Sequence, residues 1–211
     1  MTPLPVLPDE ARRRLFTTAE QWFDRGRAAV LDAIPCRRGC SRCCIGPFAI
    51  TILDEQEMQH GLADLPAHQR DEIKARASTQ IAQIEQTFPQ LAMYPYLDQW
   101  PSSDVDALVA EFGDLPCPAL GEDGSCLVYA HRPLTCRMMG LPTEMEGLTF
   151  GACEIQTSVP VVRMPAVLHE DEDRIADAEA VLIERERERN RQEGEELLLP
   201  YGFVRDAEQT A

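Results

Sequence analysis

Apolar residues recur at helical spacing from Leu15 and Phe16 through Trp22, Phe23, Val30 and Leu31, behind a capping Asp9. The pattern predicts a first helix reaching about Ile34. A short apolar run, Phe48 to Leu53, comes next, and Asp54 is expected to cap a helix to about His60. Pro66 opens a further helix that carries Ile73, Ala77, Ile81 and Ile84 and stops before Pro89. The stretch from Phe88 to Ser103 holds Tyr94, Pro95, Tyr96 and Trp100 and reads as a loop, and Ser103 with Asp104 starts a short helix ending near Gly113. Asp123-Gly124 marks a hairpin turn. A last long helix is expected from Glu170 to near Gly194, with Ile175, Ala178, Leu182 and Ile183 on its apolar side, and residues after Pro200 read as a loose tail.

These elements give a mainly α, α+β fold: a helical body with short strands and loop-rich cysteine segments around a metal core. The expected organisation is an N-terminal helix at 1–34, a cysteine-cluster domain at 35–160 with inserted helices at 54–113, and an acidic C-terminal helix and tail at 161–211.

Composition narrows the function. The chain of 211 residues is 44% hydrophobic and 27% charged, as a globular protein is, and carries a net charge of -16. That charge repels phosphate backbones, so no nucleic-acid partner is expected. The acid is uneven: up to Cys44 the chain is basic, whereas most of the excess acid follows Val105, notably Glu170 to Asp173. The proline-rich start lacks a basic and apolar leader, and no run of 18 apolar residues occurs, so a cytoplasmic protein with no membrane segment is expected.

Eight cysteines in a reducing compartment point to metal ligands or reactive thiols, with a disulfide framework as the disfavoured alternative. Cys36, Cys40, Cys43 and Cys44 occupy positions i, i+4, i+7 and i+8. On a helix these fall within an arc of roughly 100°. Pro35 suits a helix start and Gly46-Pro47 a stop, so the segment is a short helix or a turn presenting four thiols in one direction. Free thiolates at such an edge would repel one another, and a metal ion removes that difficulty. Cys117, Cys126, Cys136 and Cys153 form the second group. Eight thiols fit two four-ligand sites, or one multinuclear site with spare cysteines, and all-thiolate coordination suits zinc and iron–sulfur clusters alike. Cys43 and Cys44 are adjacent, so their side chains diverge, which suggests two sites sharing this edge or one thiol in reserve.

Arg132 and Arg137 are the candidate cofactor-binding residues: they would offset the charge of a thiolate site or anchor an anionic ligand, with ordinary salt bridging as the alternative. His131 is expected to be exposed in a turn, with ligation or proton donation as its other reading. His60, His68 and His169 read as solvated, and Tyr129, Met138 and Met139 as packing residues.

Together, the Cys36-x3-Cys40-x2-Cys43-Cys44 block, Cys117-Pro118, Gly124-Ser125-Cys126-Leu127-Val128-Tyr129, Arg132-Pro133-Leu134-Thr135-Cys136-Arg137 and Cys153 resemble the CxxCxxCC, or YkgJ-like, cysteine-cluster family. The resemblance implies chelation of zinc or iron by eight characteristic cysteines, all of which are matched here, and it leaves the N-terminal helix and residues beyond about 160 uncovered. A flagellin lysine N-methylase is similar in the same cysteine pattern. Cys36, Cys40 and Cys43 have the bare spacing of a radical-enzyme triad, but nothing predicts the barrel such a triad sits in, and no glycine-rich phosphate loop is present. The leading expectation is therefore a protein that ligates iron–sulfur or iron through thiolates, with redox or radical chemistry. Its partners would be metal ions and a protein partner or electron donor. A zinc-stabilised protein-interaction module and a protein side-chain modifying enzyme are the alternatives.

Overall fold

The computed structural model describes residues 8–29, 39–141, 143–145, 148–150, 166–191 and 193–205. It is mostly helical with short antiparallel strand pairs, as the sequence pattern predicts. Two compact units are distinguished, Met1–Cys36 with Leu134–Arg185 (unit 1), and Arg37–Pro133 with Glu186–Ala211 (unit 2).

Unit 1 is organised on helix α1, Pro8–Ala29. Leu15, Phe16, Ala19 and Trp22 form its buried stripe. Trp22 is fully buried, and its indole N–H donates to the Leu168 carbonyl at 2.8 Å, so the ring's one polar atom is satisfied. The expected end of this helix near Ile34 lies outside the described residues.

Unit 2 carries the larger set of described elements: β1 (Ala49–Thr51), α2 (Ile52–Ala63), α3 (Ala67–Thr87) and α4 (Ser102–Glu111). Unit 1 continues with α5 (Leu134–Met138), β2 (Thr143–Met145), β3 (Leu148–Phe150) and most of α6 (Ala166–Asn190), and unit 2 closes with β4 (Glu196–Leu198) and α7 (Tyr201–Val204). β2 pairs with β3 as a hairpin. On α6, Ile175, Leu182 and Ile183 are buried as expected, whereas Ala178 is exposed.

Three details of unit 2 depart from the sequence expectations. The cap of α2 is Thr51, and Asp54 stands at the third helical position, where its carboxylate accepts the Thr51 backbone N–H at 3.0 Å. The aromatic loop is partly wound into two 3₁₀ turns, Pro89–Ala92 and Leu97–Gln99, around a cluster of Phe88, Trp100 and Phe112. Residues 201–205 are not part of a loose tail: α7 inserts Phe203 into the core with Ile50, Met58, Leu62, Ile73 and Ala77, just after β4 has paired with β1 (Ile50 opposite Leu197), and the rest of the expected tail lies outside the described residues. Gly202 permits this approach, since a Cβ there would meet the Met58 side chain at 2.8 Å. Cys117 and Cys126 are packed against the same cluster.

Candidate metal centre

The first cysteine segment is a turn over residues 39–44, the turn alternative to the helix, closed by the Cys44 N–H on the Ser41 carbonyl at 3.0 Å. Gly39 and Gly46 bracket it with φ of +89° and +114°, backbone that a side chain would strain. Beyond the turn the backbone zips onto the second segment. Ile45 bridges Pro116, the Cys117 N–H donates to the Cys44 carbonyl at 2.8 Å, and the Gly46 N–H to the Leu115 carbonyl at 2.7 Å. From Cys117 the chain turns (Leu120 N–H to Cys117 carbonyl, 3.0 Å) and folds back so that Cys126 bridges Leu120. The Asp123-Gly124 turn predicted for this loop is present, with Gly124 at φ +77° packed on Ser41 and Gly39.

Helix α3 holds the platform from behind. Gln80 donates to the Pro116 carbonyl at 2.7 Å and Arg76 to the Leu120 carbonyl at 2.9 Å, one at each end of the Pro116–Leu120 turn. Sequence reasoning missed these two residues. The available signal was Gln80 on the buried face of α3 with Ile73, Ala77 and Ile84, where a polar side chain needs a partner, and Arg76 bordering that face.

Three thiols of this platform sense one another. Cys43, Cys117 and Cys126 are half-buried and free of disulfides, and the charge of Cys43 reaches both of the others. The Cys43 thiol lies far above its ordinary pKa, because it is hydrogen-bonded to the Cys44 thiol and because burial disfavours the anion. Burial also pushes Cys117, beside an apolar cleft lined by Pro47, Pro116 and Pro200, up to about 12. Cys126 is raised for the same reason.

Opposing these effects, the Ala119 N–H donates to the Cys117 sulfur and the Val128 N–H to the Cys126 sulfur, each from two residues downstream. Such hydrogen bonds favour a thiolate over a thiol. Arg132 adds a buried positive charge that acts on both Cys43 and Cys126. Its guanidinium donates to the Tyr129 carbonyl at 3.0 Å and lies 4.0 Å from the Tyr129 ring centre.

His131 is not the exposed turn residue expected. It is half-buried, with Nδ1 3.0 Å from Glu57 Oε1 and Nε2 3.2 Å from Asp64 Oδ2, so both ring nitrogens are engaged by carboxylates of the α2 region. Gly61 makes room, since a Cβ there would stand 2.7 Å from the His131 Cβ. His169 also has a carboxylate neighbour, Glu172 at 3.6 Å.

Cys136 and Arg137 belong to unit 1. Cys136 is half-buried on α5, and Arg137 donates to Glu20 at 3.0 Å with Phe16 beneath it at 5.1 Å. Cys40 is half-buried in the 39–44 turn, and Cys36 and Cys153 lie outside the described residues. Among the described residues, no three histidine, cysteine or acidic side chains are gathered closely enough to hold one ion as they stand. The donor set nevertheless fits a thiophilic ion by its chemistry: mutually coupled thiols, N–H groups already on two sulfurs, and a buried cation to balance them.

A helical protein with a loop platform of coupled thiols belongs to the cysteine-cluster class. The chain is a member of the CxxCxxCC family, described as a putative zinc- or iron-chelating domain, whose profile matches residues 35–154 and so takes in all eight cysteines. Comparison with curated proteins and with solved structures gave no match. Among the described residues, no helix is long and apolar enough to cross a membrane.

Proposed function

We propose that the protein binds iron through its cysteine thiolates, as an iron–sulfur cluster or as iron alone, and uses it in redox chemistry with an electron donor or protein partner in the cytoplasm. One observation carries this reading: Cys117 and Cys126 each accept a backbone N–H while both feel the charge of Cys43, so protein dipoles are aimed at sulfur charge in a site too apolar to hold free thiolates. A bound cation resolves that conflict. Iron, when bound, supplies one-electron chemistry. The chain's own residues supply the rest: Arg132 balances charge, the Ala119 and Val128 N–H groups orient two sulfurs, and the apolar core behind Cys117 excludes water.

Zinc is the second reading, favoured by the two N–H-supported sulfurs, an arrangement that equally suits a closed tetrathiolate site stabilising a protein-interaction surface. Anaerobic purification followed by absorption spectroscopy and metal analysis separates the two. Iron gives a brown sample with a broad visible band. A colourless sample with stoichiometric zinc replaces the first reading by the second, and a reconstituted chain that retains neither metal overturns both.

A further inference from the structure

We infer that helix α4 and the 3₁₀-wound segment before it form a docking surface for a basic, amphipathic segment of a partner protein. The surface is built from unit 2 residues that take no part in the metal reading, and the inference holds whichever metal the thiols bind.

α4 is a helix that the fold scarcely covers. Of its ten residues only Leu108 is buried, whereas the twelve of α2 bury eight. No side chain caps its first turn, where Pro101 stands before Ser102. A lone helix of this length is marginal in water, since packing of one face normally supplies its stability. The tie to the core is Leu108, which joins Ile84, Leu91 and Leu97. Beside it, Val105, Val109 and Phe112 recur at i, i+4 and i+7 and share one side, with Val109 46% exposed. Met93 and Tyr94, at 70% and 58% exposure, stand on the segment that carries Leu91 and Leu97. Ile45, at 39%, borders the far end, where a Cβ on Gly46 would meet the Gly113 carbonyl oxygen at 3.4 Å. Scattered singly, exposed apolar residues need no explanation. Gathered about one thinly covered helix, they mark a contact surface.

Charge decides what can cover it. No lysine or arginine stands between Arg76 and Arg132. Asp104, Asp106, Glu111 and Asp114 sit on or beside α4, none of them in an ion pair among the described residues. A second copy would set this acid against itself, and a phosphate backbone or an anionic lipid carries the same sign. A cation without apolar side chains would leave Val109, Met93 and Tyr94 wet. The occupant that meets both demands is a protein segment with Lys or Arg on one side and apolar side chains on the other, laid along the helix.

The test uses the full chain and a dye-labelled synthetic peptide with leucines at helical spacing on one side and lysines on the other, read by fluorescence anisotropy in physiological salt. Oligolysine of equal charge, and the same peptide with glutamate for lysine, are the comparisons. The lysine–leucine peptide is expected to bind roughly 10-fold more tightly than oligolysine, and the glutamate peptide not at all. Val109→Ser with Met93→Ser, both at exposed positions that the fold tolerates, should weaken binding about 10-fold. Asp106→Lys with Glu111→Lys should weaken it at least as much, whereas Glu170→Lys with Asp173→Lys on α6 should change it little. Hydrogen exchange should find the α4 amides open in the chain alone and slowed by the peptide. Equal binding of oligolysine or of the glutamate peptide, no binding of the lysine–leucine peptide, unchanged affinity in the Val109→Ser, Met93→Ser variant, or an equal loss in the α6 variant overturns the inference. So does a chain that sediments as a dimer until Val109 is replaced, or a peptide-free monomer whose α4 amides are already slow, since a second copy or the chain itself then covers the helix.

Discussion

Arg132 and Arg137 lie on one short stretch of chain and are equally buried, at 8% and 7% exposure, yet they serve different chemistry. Arg132, in unit 2, stacks on Tyr129 and directs its charge at Cys43 and Cys126. Arg137, in unit 1, ties α5 to α1 through Glu20 and Phe16. The same residue type, with the same flanking cysteine motif, faces thiols in one unit and ties two helices together in the other. What decides is the partner each unit brings to it, and a guanidinium's five donors accept either role.

The sharpest way to probe this contrast is pH. Ligation by thiolates displaces a proton from each thiol that binds, so conditional affinity for Zn(II) should rise by at least about one decade per pH unit between pH 6 and 8. Competition with a chromophoric chelator measures the slope, and a slope below one would show that these thiols are not the ligands. The metal-free chain responds in the opposite sense. Cys117 ionises near 9.0 when unfolded and near 12 when folded, so its contribution to stability is intact below pH 9 and is lost as pH climbs toward 12. Chemical denaturation of the metal-free chain across that window should show the decline.

Next in size is Trp22→Ala in unit 1, expected to cost about 3–5 kcal/mol through the cavity and the lost indole hydrogen bond. Urea titration followed by circular dichroism should show the loss, while Co(II) affinity under native conditions stays unchanged. The two arginines themselves give the paired comparison: Arg132→Gln should weaken metal binding roughly 10- to 100-fold, whereas Arg137→Gln should leave affinity intact and cost about 1–2 kcal/mol of stability. Equal effects on affinity would erase the distinction. Gly61→Ala presses the new methyl against the His131 Cβ and is expected to cost about 1–3 kcal/mol. The thermal midpoint should fall, with only a slight change in metal affinity.

The helices were legible because their signals are local: Ile73, Ala77 and Ile84 repeat along α3, and Ile175 and Leu182 along α6. The cysteine motif was legible as chemistry, since thiols clustered in sequence have few other uses. Partners set by long-range contact were not. His131 looked like a turn residue because Glu57 and Asp64 stand 74 and 67 positions away. Residues 201–205 looked like a loose tail because the core partners of Phe203, among them Ile50, Met58 and Ile73, lie far upstream in the chain. Arg137 carried the same local signature as Arg132, and its ion pair with Glu20, 117 positions upstream, was not legible in it.

The pairing of β4 with β1 has a consequence for how the molecule is made. During translation, the thiols from Cys40 to Cys126 leave the ribosome well before Leu197, Leu199 and Phe203, which complete the apolar backing of that platform. At typical elongation speeds the delay is about 4–14 seconds. Through that interval the nascent chain presents reactive sulfur without its finished support, so protection from premature oxidation or mismetallation has to come from the surrounding cell rather than from the fold.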